Sequence, residues 1–582
     1  MPDPVFQPRG IDPWAVQELT DAGIHPVMAR VLNGRGVTEP ESISLLLRDL
    51  EHPDSIRDLR LGAQLVADHV LRGQKVVIAG DYDVDGCTST VLLMDFLTQC
   101  GAQVDYLIPN RVTEGYGLSP GLVDRAVALS AACIITVDNG ISAFSGVQAA
   151  KDRGLTVVVS DHHLAGESLP PADAIVNPNQ PLCAFPWKST CGVGVAFYLA
   201  AAIKKVLMEA GYAPVHGLDM GQFLDLVALG TVADVVPLER NNRIFIRAGI
   251  QRMRRGATRQ GLLALMQVSG VYPPSLQADD LAFRLGPRIN AVGRLDDMSI
   301  GVRLLLTHDA AEAETLAKTL QQFNGERQQV EGVMLDNALE RVTEQMGAPS
   351  GSVDGKRIVC LFDPDGHEGV VGLVAGRIKE KMGLPAIVFA RAADPDLIKG
   401  SARSIPGVHI RDLLAELNTL YPDLIVGFGG HAMAAGLSVR AHDFDRFCGA
   451  MDALADQRIP LDALQNKVWT DGEIEPEFCT LSLAQTIEEF GPYGNGFPVP
   501  VFYGQFRVVE SKRIGKDLQT LKLSLSFMTS HQGTESIAGI QFKRGDIADP
   551  GPGDVCRLVY SLSINRFRGD ESLQLMIQSL VM

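Results

Sequence analysis

Between Lys75 and about residue 240 the chain alternates short, continuous apolar runs with longer stretches of helical periodicity. The apolar runs fall near 75–79, 104–108, 133–137, 156–159 and 174–176. Runs that are apolar at every position, rather than at every second one, predict strands of a parallel sheet with helices on both faces. Residues 1–73 carry turn signals around Pro26, Gly34 to Gly36 and Pro53, with an amphipathic run from Leu59 to Leu71, and predict a helical lead-in. From 241 to 345 the pattern is helical. Ala311 to Leu339 has heptad-like apolar spacing with no persistent charge code, which predicts one long helix joining two globular halves rather than a coiled coil. GPRINAVGRLDD, Gly286 to Asp297, reads as a glycine-punctuated loop, and Met346 to Gly355 as a linker.

A second α/β unit begins with the apolar run Arg357 to Phe362. After about residue 465 the pattern changes to apolar/polar alternation over 501–510, 520–527, 536–542, 555–562 and 572–581. Five short strands with little helix predict a small barrel such as an OB-fold. The expected architecture is α/β: a parallel-sheet domain (74–240), a helical connector with the long linking helix (241–345), a second α/β domain (346–464) and a C-terminal β-barrel (465–582), all after the lead-in. On this division, a truncation after about Gln465 removes the basic five-stranded segment but no candidate ligand, so the site and its action on very short substrates are expected to survive.

With 582 residues, 46% of them hydrophobic, the chain is long enough for several cores. No run of eighteen apolar residues occurs, and no basic segment precedes an apolar one near Met1, so neither membrane nor secretion is expected. Nine cysteines scattered from Cys87 to Cys556 without close pairs read as buried thiols in a reducing cytoplasm. The net charge of −17 argues against unselective coating of nucleic acid, so any such contact has to be local. Arg243, Arg247, Arg252, Arg254, Arg255 and Arg259 form either a solvated helix face or a strand-binding groove. The barrel segment is locally basic through Arg507, Lys512, Arg513, Lys516, Lys522, Lys543, Arg544, Arg566 and Arg568. Its Phe502, Tyr503, Phe506 and Phe542 serve either base stacking or the core.

Candidate chemistry gathers where the apolar runs end. The first runs into DYDVDG with Asp81, Asp83 and Asp85, ahead of a helical stretch from Thr88 to Gln99; the third into Asp138-Asn139-Gly140; the fourth into Asp161-His162-His163. Open α/β sheets bind ligands at that end of their strands. One acidic turn alone is commonplace, but three strand ends offering oxygen and nitrogen, with Asp234 in ADVVP as a further acid, suggest a metal centre. Carboxylates mixed with imidazole suit Mn²⁺ or Mg²⁺, and no cysteine pair has zinc spacing. The loop PNRVTEGYGLS carries Arg111, Glu114 and Tyr116 on the strand-end side of the sheet. Arg288 and Arg294 have the guanidinium geometry to fork onto phosphate oxygens. His367 and Glu368 precede a glycine-rich helix start, a kind of site that favours anions.

DYDVDG, VDNG, SDHH and ADVVP, in that order, resemble the DHH phosphoesterase superfamily. With GPRINAVGRLDD, GSARS, GFGGHAMAAG and FGPYGNGFPVPVF, the chain is similar over almost its whole length to that superfamily's bacterial single-strand-specific exonucleases. The resemblance implies two cations, Mn²⁺ or Mg²⁺, with Asp138 bridging, Asp81 and Asp83 toward one ion, and Asp85, His162 and Asp234 toward the other. It places His163 at the scissile phosphate and Asp161 behind a ligating imidazole. The superfamily's pyrophosphatase branch has a His two positions before Asp81, where this chain has Ala79, so that shell cannot be copied from it. The second α/β unit resembles a DHHA1-type accessory domain, in which Ser401, Arg403 and His431 contact substrate; Arg111 would hold a terminal phosphate.

The implied activity is a single-stranded-DNA-specific 5′-to-3′ exonuclease that releases mononucleotides by two-metal hydrolysis in DNA repair and recombination. Two alternatives are a DHH/DHHA1 phosphodiesterase acting on short oligonucleotides or cyclic dinucleotides, whose relatives lack the barrel, and a non-catalytic scaffold, whose acids would be eroded. The expected partners are single-stranded DNA with a 5′ end, a helicase and a single-strand-binding protein, with the chain a cytoplasmic monomer away from membranes.

Overall fold

Val76–Ala79 (β1), Val104–Leu107 (β2), Cys133–Val137 (β3), Thr156–Ser160 (β4) and Ala174–Val176 (β5) form one parallel sheet in the spatial order β2-β1-β3-β4-β5. The structure is a computed structural model, and it describes residues 5–111, 114–346, 355–465, 467–515, 518–528, 536–542, 544–545, 547–567 and 570–581. β1 and β3 are buried at every position, as a run without a polar face has to be, and β2, at the edge, is mostly half-buried. The helices Leu59–Leu71 (α1), Val84–Gln99 (α2), Pro120–Ala128 (α3), Phe144–Asp152 (α4) and Gly192–Glu209 (α5) wind around the sheet. α3 and α4 bury Leu122, Val123, Ala126, Val147 and Ala150 against one face. α1, read as part of a lead-in, packs on the other face, where a Cβ on Gly62 would come within 3.2 Å of Val158 and Val176.

α2 begins four residues before the expected Thr88. Asp83 is its N-cap, accepting from the Gly86 N–H at 3.0 Å, and Asp85 lies in its first turn. A carboxylate satisfies the free N–H groups and the positive dipole end there, so the acidic motif is itself the helix start. Leu224–Ala233 (α6) and Arg240–Arg254 (α7) follow. Gly286–Leu295 (α8), expected as a loop, is a helix that continues directly from a π-helical turn over Leu281–Leu285. Its glycines misled: Ile289 and Val292 are three apart and buried, as on the inner face of a helix.

The chain divides into two compact units. One comprises Gln7–Pro287, Met298–Ala317 and Trp469–Met582; the other is built mainly of Arg288–Asp297 and Lys318–Val468. The long helix Ala310–Met346 (α9) exceeds the expected 311–339 at both ends. In the second unit Val359–Asp363 (β6), Ala386–Arg391 (β7), Leu397–Arg403 (β8), Gly427–Gly430 (β9) and Ala434–Arg440 (β10) form a mixed sheet ordered β9-β10-β8-β7-β6, with β6 and β7 parallel. Met334, Ala338 and Val342 of α9 join Val371–Met382 (α10) on one face, so α9 is part of this core and not only a connector. The helices Ile410–Leu420 and Phe444–Arg458 cover the other face. The expected linker falls largely on residues 347–354, outside the described residues.

Leu481–Glu489 (α11) leads into a closed barrel of Phe502–Ile514 (β11), Thr520–Phe527 (β12), Ile537–Gln541 (β13), Val555–Phe567 (β14) and Asp570–Val581 (β15), ordered β11-β12-β13-β15-β14. A closed five-stranded barrel is the OB-fold pattern. Phe502 and Phe506 are core residues, whereas Phe542 is exposed. Arg513, Arg544 and Arg566 are bonded to Asp549, Gln541 and Glu488, respectively, while Arg507, Lys512 and Lys522 are exposed; Lys516, Lys543 and Arg568 lie outside the described residues.

The barrel segment is not separable from the first sheet's unit. Buried Asp471 accepts from Arg35 at 2.6 and 3.0 Å, and the Arg35 side chain is only 1% exposed. Buried Arg243 of α7 donates to the carbonyls of Phe490 (2.6 Å) and Pro492 (3.3 Å) and lies 3.6 Å over the Phe497 ring. A cut after Gln465, expected to spare the site because it takes no candidate ligand, would also remove the partners of two buried guanidinium groups. The arginine bunch is corrected too. Arg243, Arg247, Arg254 and Arg259 bond to Phe490, Glu489, Leu276 and Asp95, leaving neither a solvated face nor an open groove of all six.

Candidate metal centre

The parallel register lines up Ala79, Thr136 and Val159 across β1, β3 and β4. The next residues of each strand end therefore emerge side by side. Asp81 follows Gly80, and Gly86 lies so close behind that an added Cβ would be 2.6 Å from the Asp81 Cβ. Asp138 takes a left-handed φ of 59°, with its N–H bonded to the Ser160 carbonyl at 3.0 Å. Asn139 ties the strand ends together, donating to the carbonyls of Ala79 (3.1 Å) and Val137 (2.8 Å). Asp85 receives the Gly192 and Val193 N–H groups at 2.6 and 2.8 Å, at the N-terminus of α5. Gly192 is forced there by crowding: its Cβ would be 2.8 Å from the Asp138 Cβ and 2.9 Å from an Asp85 oxygen.

His162 Nε2 stands 3.1 Å from Asp138 Oδ1, 3.6 Å from Asp234 Oδ2 and 3.9 Å from Asp85 Oδ2. Donor atoms of Asp81, Asp83 and Asp138 lie within 4.8 Å of one another, as do those of Asp85, His162 and Asp234, and those of Asp138, His162 and His163. Asp81 Oδ1 and Asp138 Oδ1 are buried and accept no hydrogen bond among the described residues. Such atoms are costly unless something positive meets them. Burial, then the charge of Asp83, pushes Asp81 well above the usual carboxylate range. Burial and the neighbouring carboxylates do the same to Asp138 and Asp234, and lift Asp85 to about 7. A crowded, buried, oxygen-rich set with imidazole from His162 and His163 fits hard divalent cations.

Asp161 is otherwise engaged. Its Oδ1 accepts from the His162 and His163 N–H groups and faces His163 Nδ1 at 2.7 Å, while Oδ2 accepts from the Ile141 N–H at 2.9 Å. Burial would raise Asp161, but the bond to His163 and both imidazole charges outweigh it and hold it low. Burial would likewise lower His163, yet Asp161 and the nearby acids lift it to about 9. The Tyr116 hydroxyl donates to the Asp138 carbonyl at 2.9 Å and lies 3.3 Å from His163 Nδ1. Arg111 lies 4.9 Å over the Tyr82 ring, which meets Tyr116 edge-on.

In the second unit, Arg403 donates to the Ser401 hydroxyl and the Ala402 carbonyl, both at 2.8 Å. Arg294 donates to the Gly369 carbonyl at 2.9 Å. A Cβ on Gly372 would come 2.6 Å from Arg403 Nη2, so Arg294, Ser401 and Arg403 gather around the turn that opens α10. His431 sits in the β9–β10 hairpin, its N–H bonded to the Ala434 carbonyl, and Ala434 is the register partner of Arg403. Arg288 is turned toward Gln321 of α9, 2.7 Å away. Sequence reasoning singled out Tyr116 on a loop at the strand-end side of the sheet, but it did not find the Gly192 and Val193 amides or Asn139 as parts of the site. The run CGVGVA at a helix start was the one signal for the amides.

The chain matches the DHH family N-terminal domain over residues 75–231, the DHHA1 domain over 354–457 and the RecJ OB domain over 470–579. The single-stranded-DNA-specific exonuclease RecJ of Dickeya dadantii is 42% identical over 573 residues, 98% of each chain. That of Escherichia coli is 41% identical over 572 residues, 97% of this chain and 98% of its own. The crystal structure of RecJ from Thermus thermophilus in complex with Mn²⁺ superposes with a TM-score of 0.81 at 29% identity, covering 100% of this chain and 80% of that one. The complex with Mg²⁺ gives 0.75 at 28%, covering 99% and 78%.

Proposed function

Because the chain belongs to the RecJ family of single-stranded-DNA-specific exonucleases, we propose that it digests single-stranded DNA from a 5′ end, releasing mononucleotides, in DNA repair and recombination. The observation that carries the reading is the place of Asp138. It shares one donor group with Asp81 and Asp83, and it also lies 3.1 Å from His162, itself grouped with Asp85 and Asp234. Two Mn²⁺ or Mg²⁺ ions held by these residues would supply a water of lowered pKa and charge to offset that on the phosphate.

The rest falls to the chain. Asp161 fixes the His163 ring through Nδ1, orienting it to give a hydrogen bond to a phosphate oxygen. Arg111 offers its guanidinium beside Tyr82 for a terminal phosphate. In the second unit Arg403, braced by Ser401, supplies a charged donor for the strand, with Arg288, Arg294 and His431 as further contacts. The exposed Arg507, Lys512 and Lys522 of the barrel serve the backbone beyond. We place the enzyme in the cytoplasm as a monomer, beside a helicase and a single-strand-binding protein. Nine unbridged cysteines support a reducing compartment, and an enzyme confined to single strands needs duplexes opened for it. Among the described residues no helix is long and apolar enough to cross a membrane.

End-labelled single strands, with and without a 5′-phosphate, test this reading in Mn²⁺, Mg²⁺ and EDTA. Labelled mononucleotide should leave the 5′ end first, only with metal, and duplexes should resist. Release from the 3′ end would overturn the polarity. Hydrolysis of cyclic dinucleotides without cutting of strands would favour the small-substrate alternative.

A further inference from the structure

FGPYGNGFPVPVF has no role in the chemistry above, yet its tip reaches the residues next to Asp234. Gly494 and Phe497 are bridged by backbone bonds of 2.9 and 3.1 Å, which put Asn495 and Gly496 at the apex of a two-residue turn. Asn495 Nδ2 donates to the Val235 carbonyl at 2.7 Å, and the Leu238 N–H donates to the Asn495 carbonyl at 2.7 Å. The stretch 235–238 is thus gripped at both ends by a single residue. Leu238 is buried against the turn, where a Cβ on Gly494 would come 2.7 Å from its Cδ1. Below, buried Phe497 lies under the Arg243 guanidinium.

The gripped stretch needs holding. Asp234 caps the C-terminus of α6, and Val235 follows it at a φ of 60°. A β-branched residue rarely adopts that left-handed conformation, and it persists only where the surroundings impose it. The strained peptide directly follows a residue whose carboxylate lies 3.6 Å from His162. If Val235 relaxed, the end of α6 would turn and carry that carboxylate with it.

We infer that Asn495 is a positioning residue for the metal centre, holding the turn after Asp234 so that its carboxylate faces His162. The inference rests on the metal reading above and adds that the segment leading into the barrel tunes the centre's affinity. Loss of a partner outside the direct ligands typically weakens metal binding about 10–100-fold. Asn495→Ala, acting through one backbone carbonyl, should weaken Mn²⁺ binding about tenfold, the low end of that range.

Mn²⁺ titration followed by electron paramagnetic resonance, on the full chain, reads this directly, with melting temperature in EDTA as control. Asn495→Ala should bind Mn²⁺ about tenfold more weakly with its EDTA melting temperature unchanged, and saturating Mn²⁺ should restore turnover. Val235→Asn in the same chain should recover the affinity, because Asn tolerates the left-handed conformation without outside support. A lowered melting temperature with unaltered Mn²⁺ affinity, or no recovery by Val235→Asn, would overturn the inference. Failure of the unsubstituted protein to bind Mn²⁺ would instead overturn the metal reading, and this inference with it.

Discussion

Asp138 is the residue on which the site turns. Asp138→Ala removes the carboxylate that both donor groups approach, and turnover on single strands should fall more than about 100-fold, roughly 2.7 kcal/mol of transition-state stabilisation, without loss of fold. A mutant keeping a tenth of the activity would sink the bridging role. The acids also make a pH prediction. Asp81, Asp85, Asp138 and Asp234 are held above their unfolded values, and Asp85 titrates near 7. Between about pH 4 and 7 the metal-free folded chain therefore holds more protons than the unfolded one, and its stability falls as pH rises through that window. His163, raised to about 9, extends the same trend to higher pH. Melting curves in EDTA should drop from pH 5 to pH 8, and added Mn²⁺ should raise the melting temperature more at pH 8, where these ligands are ionised. An equal metal effect at both values would contradict the ligand set.

At the level of elements, the strand ends were legible because β1, β3 and β4 are unbroken apolar runs, and each is followed within two residues by an acid. The start of α2 was legible only in part, since Asp83 and Asp85 look like a loop until their capping role is considered. α8 was misread because Gly286 and Gly293 outweighed the spacing of Ile289 and Val292. The amides at the head of α5 were signalled only by the glycine-rich helix start, and nothing local says that residues 192 and 193 will meet residue 85. Gly192→Ala tests that junction, since the added carbon would sit within 2.9 Å of atoms of both Asp85 and Asp138. Mn²⁺ affinity should drop by at least about tenfold, as expected when a group orienting metal ligands is displaced; unchanged affinity would mean that the helix start shifts freely. On β8, Arg403→Ala should remove most of the preference for 5′-phosphorylated over 5′-hydroxyl strands, a loss of about 1.5–3 kcal/mol for one charge-assisted contact. Equal losses on both substrates would assign it to folding or general strand binding.

On the scale of the whole molecule, the three successive patterns of the sequence were legible, whereas the bonds that join the barrel segment to the first sheet's unit were not. Arg35 and Asp471 are 436 residues apart, and no periodicity reports such a pair. Asp471→Ala should cost about 3–5 kcal/mol, the penalty for leaving a buried charge without its partner, and denaturant melts would show it. Truncation after Gln465 should abolish cleavage of even the shortest oligonucleotides; full activity on them would show that the pairing is dispensable. The same pairing sets a clock on synthesis. At roughly 5–20 residues per second, Arg35 leaves the ribosome some 20–90 s before the carboxylate that receives it, and Arg243 likewise waits for the carbonyls of Phe490 and Pro492. A nascent copy that stops before Asp471 therefore carries the proposed metal ligands but not the partners of these buried guanidinium groups, so the nuclease should become competent only once the segment through Pro492 has been made.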